Sequence, residues 1–167
     1  MMTAMGDPPN KKEIAEFFRL GLRVGALDYS AAVRWADSVL LIEQKPDIQI
    51  VEVSLSGAGG VDKTITCLQE IRGVASQDMA ARLLLALCWR KIRTKQWTDE
   101  RFACLLNSIR LSGEVSEDLE RTLMNLDEDL WLAEEGVCGT VEEAMKAIRE
   151  FSRSFEEYEK WLPPQVC

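Results

Sequence analysis

The sequence predicts one all-α domain of seven or eight helices packed around a central apolar helix. Three observations lead there. Residues 79–89, Met-Ala-Ala-Arg-Leu-Leu-Leu-Ala-Leu-Cys-Trp, are apolar at ten of eleven positions, with Arg82 the exception and no β-branched residue. An Ala/Leu-rich run of this kind favours helix, and it is well short of the roughly 20 residues that span a bilayer. Most other segments repeat apolar residues at three- and four-residue intervals behind an Asn, Asp, Ser or Thr, the residues that cap helix N-termini. Only 47–56 alternates like a strand, and a lone strand has nothing to pair with.

In chain order, 1–9 reads as a flexible tail. Asn10 caps a helix over 11–22, with Ile14, Phe17, Phe18 and Gly21 on one face. Gly25 breaks the linker 23–27. Asp28 caps a second helix over 29–44, whose stripe is Ala32, Val33, Ala36, Val39 and Leu40, and Pro46 prevents its continuation. Segment 47–56 is expected to be a short helix capped by Asp47, with Ile48, Val51 and Leu55 inward. The stretch 56–60 is expected as a flexible loop. A helix over 61–72 carries Val61, Ile65, Leu68 and Ile71, and Gly73 ends it.

The central helix is expected over 77–95, with Ser76 as its cap. Arg90, Lys91, Arg93 and Lys95 lie at its C-terminal end, where cations suit the helix macrodipole. Thr98 caps the next helix, which runs to about 111 and turns Phe102, Leu105, Leu106 and Ile109 inward, with Trp97 stapled onto Phe102. Ser116 caps an acidic helix with Leu119, Leu123, Leu126, Leu130 and Ala133 as its buried stripe and a break near 125–127. Thr140 and Glu143 form a capping box for a last helix over 141–161. Pro163 and Pro164 stop it. The domain is therefore expected over 10–162, with 163–167 as a C-terminal tail.

Composition narrows the chemistry. A chain of 167 residues with 47% hydrophobic content has material for one core without covalent staples. Cys67, Cys88, Cys104, Cys138 and Cys167 are odd in number and include no C-x-x-C pair, which argues against a disulfide framework. Residues 1–10 lack the apolar segment of a signal peptide. The expected setting is reduced and cytoplasmic, in a small bacterial protein. Histidine is absent. That excludes Ser-His-Asp and Cys-His nucleophile systems and the histidine-based zinc and di-iron sites. No catalytic residue, metal site or cofactor is expected.

The net charge of −8 is unevenly distributed. Residues 1–95 hold 13 Lys/Arg against 11 Asp/Glu, whereas 96–167 hold 7 against 17. Within 114–143, eleven acids face Arg121 alone. Candidate partner-facing residues are Glu117, Asp118, Glu120, Glu128, Asp129, Glu134 and Glu135. The expected partner is a basic protein, with the chain acting as a non-enzymatic interaction module. A toxin-neutralising, immunity-like protein is one concrete form. The cationic cluster at 90–95 is expected to complement the acidic region, in the same chain or another copy. A nucleic-acid partner is not expected of so acidic a protein, nor is a membrane. Monomer and homodimer are both open, the latter through Trp35, Trp97, Trp131 or Trp161.

The alternative reading comes from Gly57-Ala-Gly-Gly-Val-Asp-Lys63-Thr64, which follows a β-branched run. It resembles the phosphate-binding loop G-G-V-G-K-T of P-loop nucleotide hydrolases, with Asp62 where that loop has glycine. The resemblance covers eight residues. It implies that Lys63 reaches nucleotide phosphates and that Thr64 holds magnesium.

Overall fold

Asn10 caps the first helix, α1 (Lys11–Arg23), as expected. Its side chain accepts from the Glu13 amide at 3.0 Å, and the Glu13 carboxylate accepts from the Asn10 amide at 2.8 Å. The other Glu13 oxygen accepts from the Ser76 amide at 2.8 Å. A carboxylate only 4% exposed is thus fully engaged, as burial of a charge requires. Burial alone would raise its pKa. Hydrogen bonds from Ser76 and Asn10 outweigh that and hold it below the usual carboxylate range.

The structure is a computed structural model that describes residues 7–167; the first six residues of the tail expected over 1–9 lie outside it. Seven further α-helices follow: α2 (Tyr29–Ile42), α3 (Ile48–Leu55), α4 (Gly60–Gln69), α5 (Met79–Arg93), α6 (Asp99–Leu111), α7 (Glu117–Glu134) and α8 (Val141–Arg153). They form one all-helical domain, with no strand among the described residues.

Segment 47–56 is helical, as expected, but with its faces exchanged. Ile50 and Val53 are buried between neighbouring helices, whereas Ile48 is 63% and Leu55 74% exposed. Packing decides this: α3 lies chiefly against α2 and also meets α4, and residues 50 and 53 face that seam. Asp47 sits at the cap position without capping. Its carboxylate pairs with Lys11 Nζ at 3.2 Å, beside the Lys11–Glu43 pair at 2.7 Å. The expected flexible loop at 56–60 is instead a 3-10 turn, Ser56–Gly59, pinned by the buried Ser56–Thr64 hydroxyl pair at 2.8 Å.

Helix α5 is the expected hub: residues 83–88 are all fully buried. It starts at Met79, and Ser76 is not its cap. Asp78 occupies the cap position in left-handed backbone, φ 65°, without capping. Its carboxylate accepts from the Ser116 amide at 2.7 Å and from the Ser116 hydroxyl. One carboxylate thereby ties the start of α5 to the cap of α7. The hub is also shared, because α1 packs along α5 and buries Phe17, Phe18 and Leu20.

Three hairpins share one turn. In α1–α2, the amides of Ala26 and Leu27 both donate to Gly21 O, at 2.8 and 3.1 Å. In α5–α6, Gln96 and Trp97 do the same to Lys91 O, and in α7–α8 Val137 and Cys138 do so to Leu132 O. Gly25, Lys95 and Gly136 supply the left-handed residue in each. This is the Schellman stop, and the cap of the next helix, Asp28, Thr98 or Thr140, follows the left-handed residue by three or four positions.

Other boundaries move, and α4 already stops at Gln69 rather than near 72. Helix α7 is continuous through 125–127, because Leu123, Leu126 and Leu130 hold that stretch in the core. The last helix ends at Arg153, not near 161. There Ser154 Oγ donates back to Phe151 O at 2.5 Å, competing with helical bonding. A 3-10 turn, Glu156–Trp161, then folds onto α5. An aromatic ladder runs from the end of α8 into this turn through Phe151, Phe155, Tyr158 and Trp161, with successive ring centroids 5.3, 6.3 and 5.4 Å apart. The expected C-terminal tail, 163–167, is docked: Pro163 and Val166 are buried, and Gln165 Nε2 donates to Ser38 Oγ at 3.2 Å on α2.

Candidate functional site

Helix α7 carries six of the seven candidate residues, with Glu135 at its C-cap, and its spacing explains how. Leu119, Leu123, Leu126, Leu130 and Ala133 recur at intervals of three and four and face the core. Positions offset by two residues point about 200° away at roughly 100° per residue. That opposite stripe is Glu117, Arg121, Met124, Glu128, Trp131 and Glu135, every one exposed. Asp118, Glu120, Asp129 and Glu134 flank it and are exposed too. Ser116 caps the helix by accepting from the Leu119 amide at 3.3 Å, and the acids of the first turn suit the positive end of the macrodipole.

Internal cations neutralise only part of this face. Glu117 pairs with Arg121 at 2.9 Å, and Asp118 approaches the same guanidinium at 4.0 Å. Arg110 of α6 reaches Asp127 at 3.8 Å. Glu128, Asp129, Glu134 and Glu135 form no ion pair among the described residues. Glu114, the first acid of the stretch, has a different role. It receives Arg19 and Arg23 from α1. Partial burial pushes its pKa up, but the hydrogen bond from Arg19 and the charges of both arginines outweigh that and hold it below the usual range. Burial would lower the Arg19 pKa, but the hydrogen bonds to Glu114 and Glu16 and the charges of both acids outweigh that and push it up.

The cationic cluster does not complement α7 within the chain. Arg93 pairs with Glu159 at 2.9 Å, Lys91 Nζ donates to Gln96 Oε1 at 2.7 Å, and Arg90 donates to Cys167 Sγ at 2.8 Å. The C-terminal turn, which sequence reading extended as helix, is what places Glu159 there. Of the tryptophans, Trp131 is exposed at 56%, whereas Trp35 is buried and Trp97 and Trp161 are half-buried. Trp97 lies under the Arg101 guanidinium, 4.8 Å from the ring centroid.

The 57–64 segment departs from a phosphate-binding loop. It follows helix α3 rather than a strand. Thr64 is fully buried, and its hydroxyl is engaged by Ser56 and by Gly60 O at 2.9 Å. It therefore has no free face for a metal ion. Lys63 is exposed on α4, and its Cβ lies 2.5 Å from where a side chain on Gly59 would begin. The resemblance is one of residue order, and the nucleotide reading is not carried further.

Sequence reading missed two parts of this surface. Met124, 45% exposed, lies one heptad from Trp131 on the acidic stripe, and their three-four spacing with Glu128 was the available signal. A groove between α6 and the α7–α8 pair, of about 510 Å³, was not legible because its walls come from three helices. Among the described residues, no cluster of three or more His, Cys, Asp or Glu is placed to hold a metal ion, and no helix is long and apolar enough to cross a membrane. No protein family, curated protein or solved structure matches this chain.

Proposed function

We propose that the chain is a non-enzymatic protein-interaction module that presents the outer face of α7 to a basic partner protein. The observation that carries this reading is the stripe itself, with Met124 and Trp131 exposed between acids that have no internal cation. An aromatic anchor within a polar rim is the usual anatomy of a protein interface. Unpaired acids around it steer a cationic partner to the site and speed association. A toxin-neutralising role, in which α7 covers a basic functional surface of a toxin, is the concrete form we favour. The free thiols of all five cysteines are in keeping with a cytosolic setting.

The test is co-purification of the tagged chain with partners from its native cell, comparing wild type with a variant reversed to Lys at Glu128, Asp129, Glu134 and Glu135. All four are exposed, so the fold should be kept, as far-UV circular dichroism would check. A basic protein should be retained by wild type, released by salt, and lost from the variant. Equal retention by both would overturn the proposal.

A further inference from the structure

We propose that the groove between α6 and the α7–α8 pair receives a Lys or Arg side chain from a basic segment of the partner protein. This rests on the interaction reading above and gives it a defined pocket. The groove has a volume of about 510 Å³, within the roughly 300–1,000 Å³ range of ligand-sized pockets. Its base is apolar, with Leu130 and Met145 buried and Ala103 half-buried beside them. Carboxylates stand on both walls: Asp99 and Glu100 from α6, Asp127 and Glu134 from α7. Arg149 pairs with Asp99 at 2.8 Å, and Arg110 reaches Asp127 at 3.8 Å. Glu100 and Glu134 are exposed and form no ion pair among the described residues.

This arrangement matches one kind of occupant. A long cationic side chain has an apolar stem and a charged head, and it lies best with the stem on apolar surface and the head among acids. Here the stem rests on Ala103, Leu130 and Met145, and the head meets Glu100 and Glu134 from opposite walls. A purely apolar side chain would leave both carboxylates desolvated without a partner, which is costly. An acidic segment would be repelled. The walls are preformed, because Phe102, Leu105 and Leu106 anchor α6 in the core while Leu123 and Ile148 anchor α7 and α8.

Cys104 lies on the rim of the groove and is exposed, whereas Cys67 and Cys88 are buried. Burial pushes the Cys88 thiol up to about 12, so it does not compete for alkylating reagent at neutral pH. Cys104 therefore reports occupancy, and exposed Cys167, outside the groove, is the internal control.

The test uses the full chain and a synthetic amphipathic Lys/Leu peptide as probe. Affinity is read from the anisotropy of labelled peptide, and the alkylation rates of Cys104 and Cys167 are followed by mass spectrometry. Saturating peptide should slow alkylation of Cys104 and leave Cys167 unchanged. Ala103→Phe, which fills the base, and Glu100→Lys, on the exposed rim, should each weaken binding by about tenfold or more, roughly 1.4 kcal/mol. Glu100→Lys keeps the test valid if Ala103→Phe fails to fold. A peptide that binds and is lost on reversing Glu128, Asp129 and Glu135, yet leaves Cys104 reactive, overturns the groove and leaves the acidic-face reading standing. No binding at low salt overturns the groove, while partner co-purification judges the wider reading separately. Equal protection of Cys104 by the lysine-acetylated peptide, or by spermidine, also overturns it.

Discussion

The first four helices and the last four are packed in the same order, yet they leave different surfaces. In the first half α1 packs on α4, α2 on α3, and α3 on α4; in the second, α5 packs on α8, α6 on α7, and α7 on α8. The halves meet where α1 lies along α5, so each contributes one helix with a fully buried face to the seam. Outside, the first half exposes Leu41, Ile42, Ile48 and Leu55, and the second exposes the acids of α7 around Trp131. A shared packing scheme with unlike surfaces separates what folding needs from what it leaves free. No packing demand places the unpaired carboxylates of Glu128, Asp129, Glu134 and Glu135 on α7 and its C-cap.

The sharpest way to break this comparison is at the seam. If the halves share one core, Phe18→Ala in α1 should cost about 3–5 kcal/mol and Leu84→Ala or Leu87→Ala in α5 about 2–5 kcal/mol, because all three side chains are fully buried. Urea unfolding would measure both. Below 1 kcal/mol at both leucines would remove α5 from the centre, and two separate transitions would mean that the halves do not fold together.

The next effect lies at the ionic tie between the halves. Glu114→Gln should cost about 1.5–3 kcal/mol at pH 7, the usual range for hydrogen bonds to charged groups. It should also flatten the acid limb. The folded-state pKa values of Glu114 and Glu13 lie below their ordinary values. Their stabilisation is therefore complete above the unfolded carboxylate value of about 4.3 and is lost as pH falls through the lowered folded values. Urea midpoints of wild type should drop between about pH 5 and pH 3, and those of the variant should drop less. An unchanged slope would mean that Glu114 does not join the halves.

The smallest effect sharpens the likeness of the hairpins. The first and third turns place Gly25 and Gly136 at φ 76° and 69°, whereas the second places Lys95 at φ 57°. A side chain there costs about 1–2 kcal/mol, offset in part by the greater unfolded-state freedom of glycine. Lys95→Gly should thus stabilise the protein by about 0.5–1 kcal/mol, read as a raised melting temperature. A loss would show that the Lys95 side chain makes a contact worth more than the strain.

Much of the fold was legible because it is local. Asn10, Asp28, Thr98, Ser116 and Thr140 each cap the helix that follows, since capping joins residues two or three apart. The stripes of α6 and α7 follow from period alone, and the run at 83–88 from its unbroken apolar composition. The acidic face was legible for the same reason, being one side of one helix.

What tertiary structure decided is wherever a side chain had a distant partner to choose. Ser76 was the expected cap of α5, but its amide serves Glu13, and Asp78, at the cap position instead, serves Ser116, contacts 63 and 38 residues apart. The inward face of α3 depended on its seam with α2, which its own β-branched residues could not specify. The end of α8 and the partner of Arg93 depended on where the C-terminal turn docks. The groove needs three helices to exist at all. By itself, the sequence determined helix number to within one, most caps and the site of the surface charge, because these are set within one or two turns of chain. Pairing across the core set the rest, because burial and hydrogen bonding are satisfied only once the helices have met.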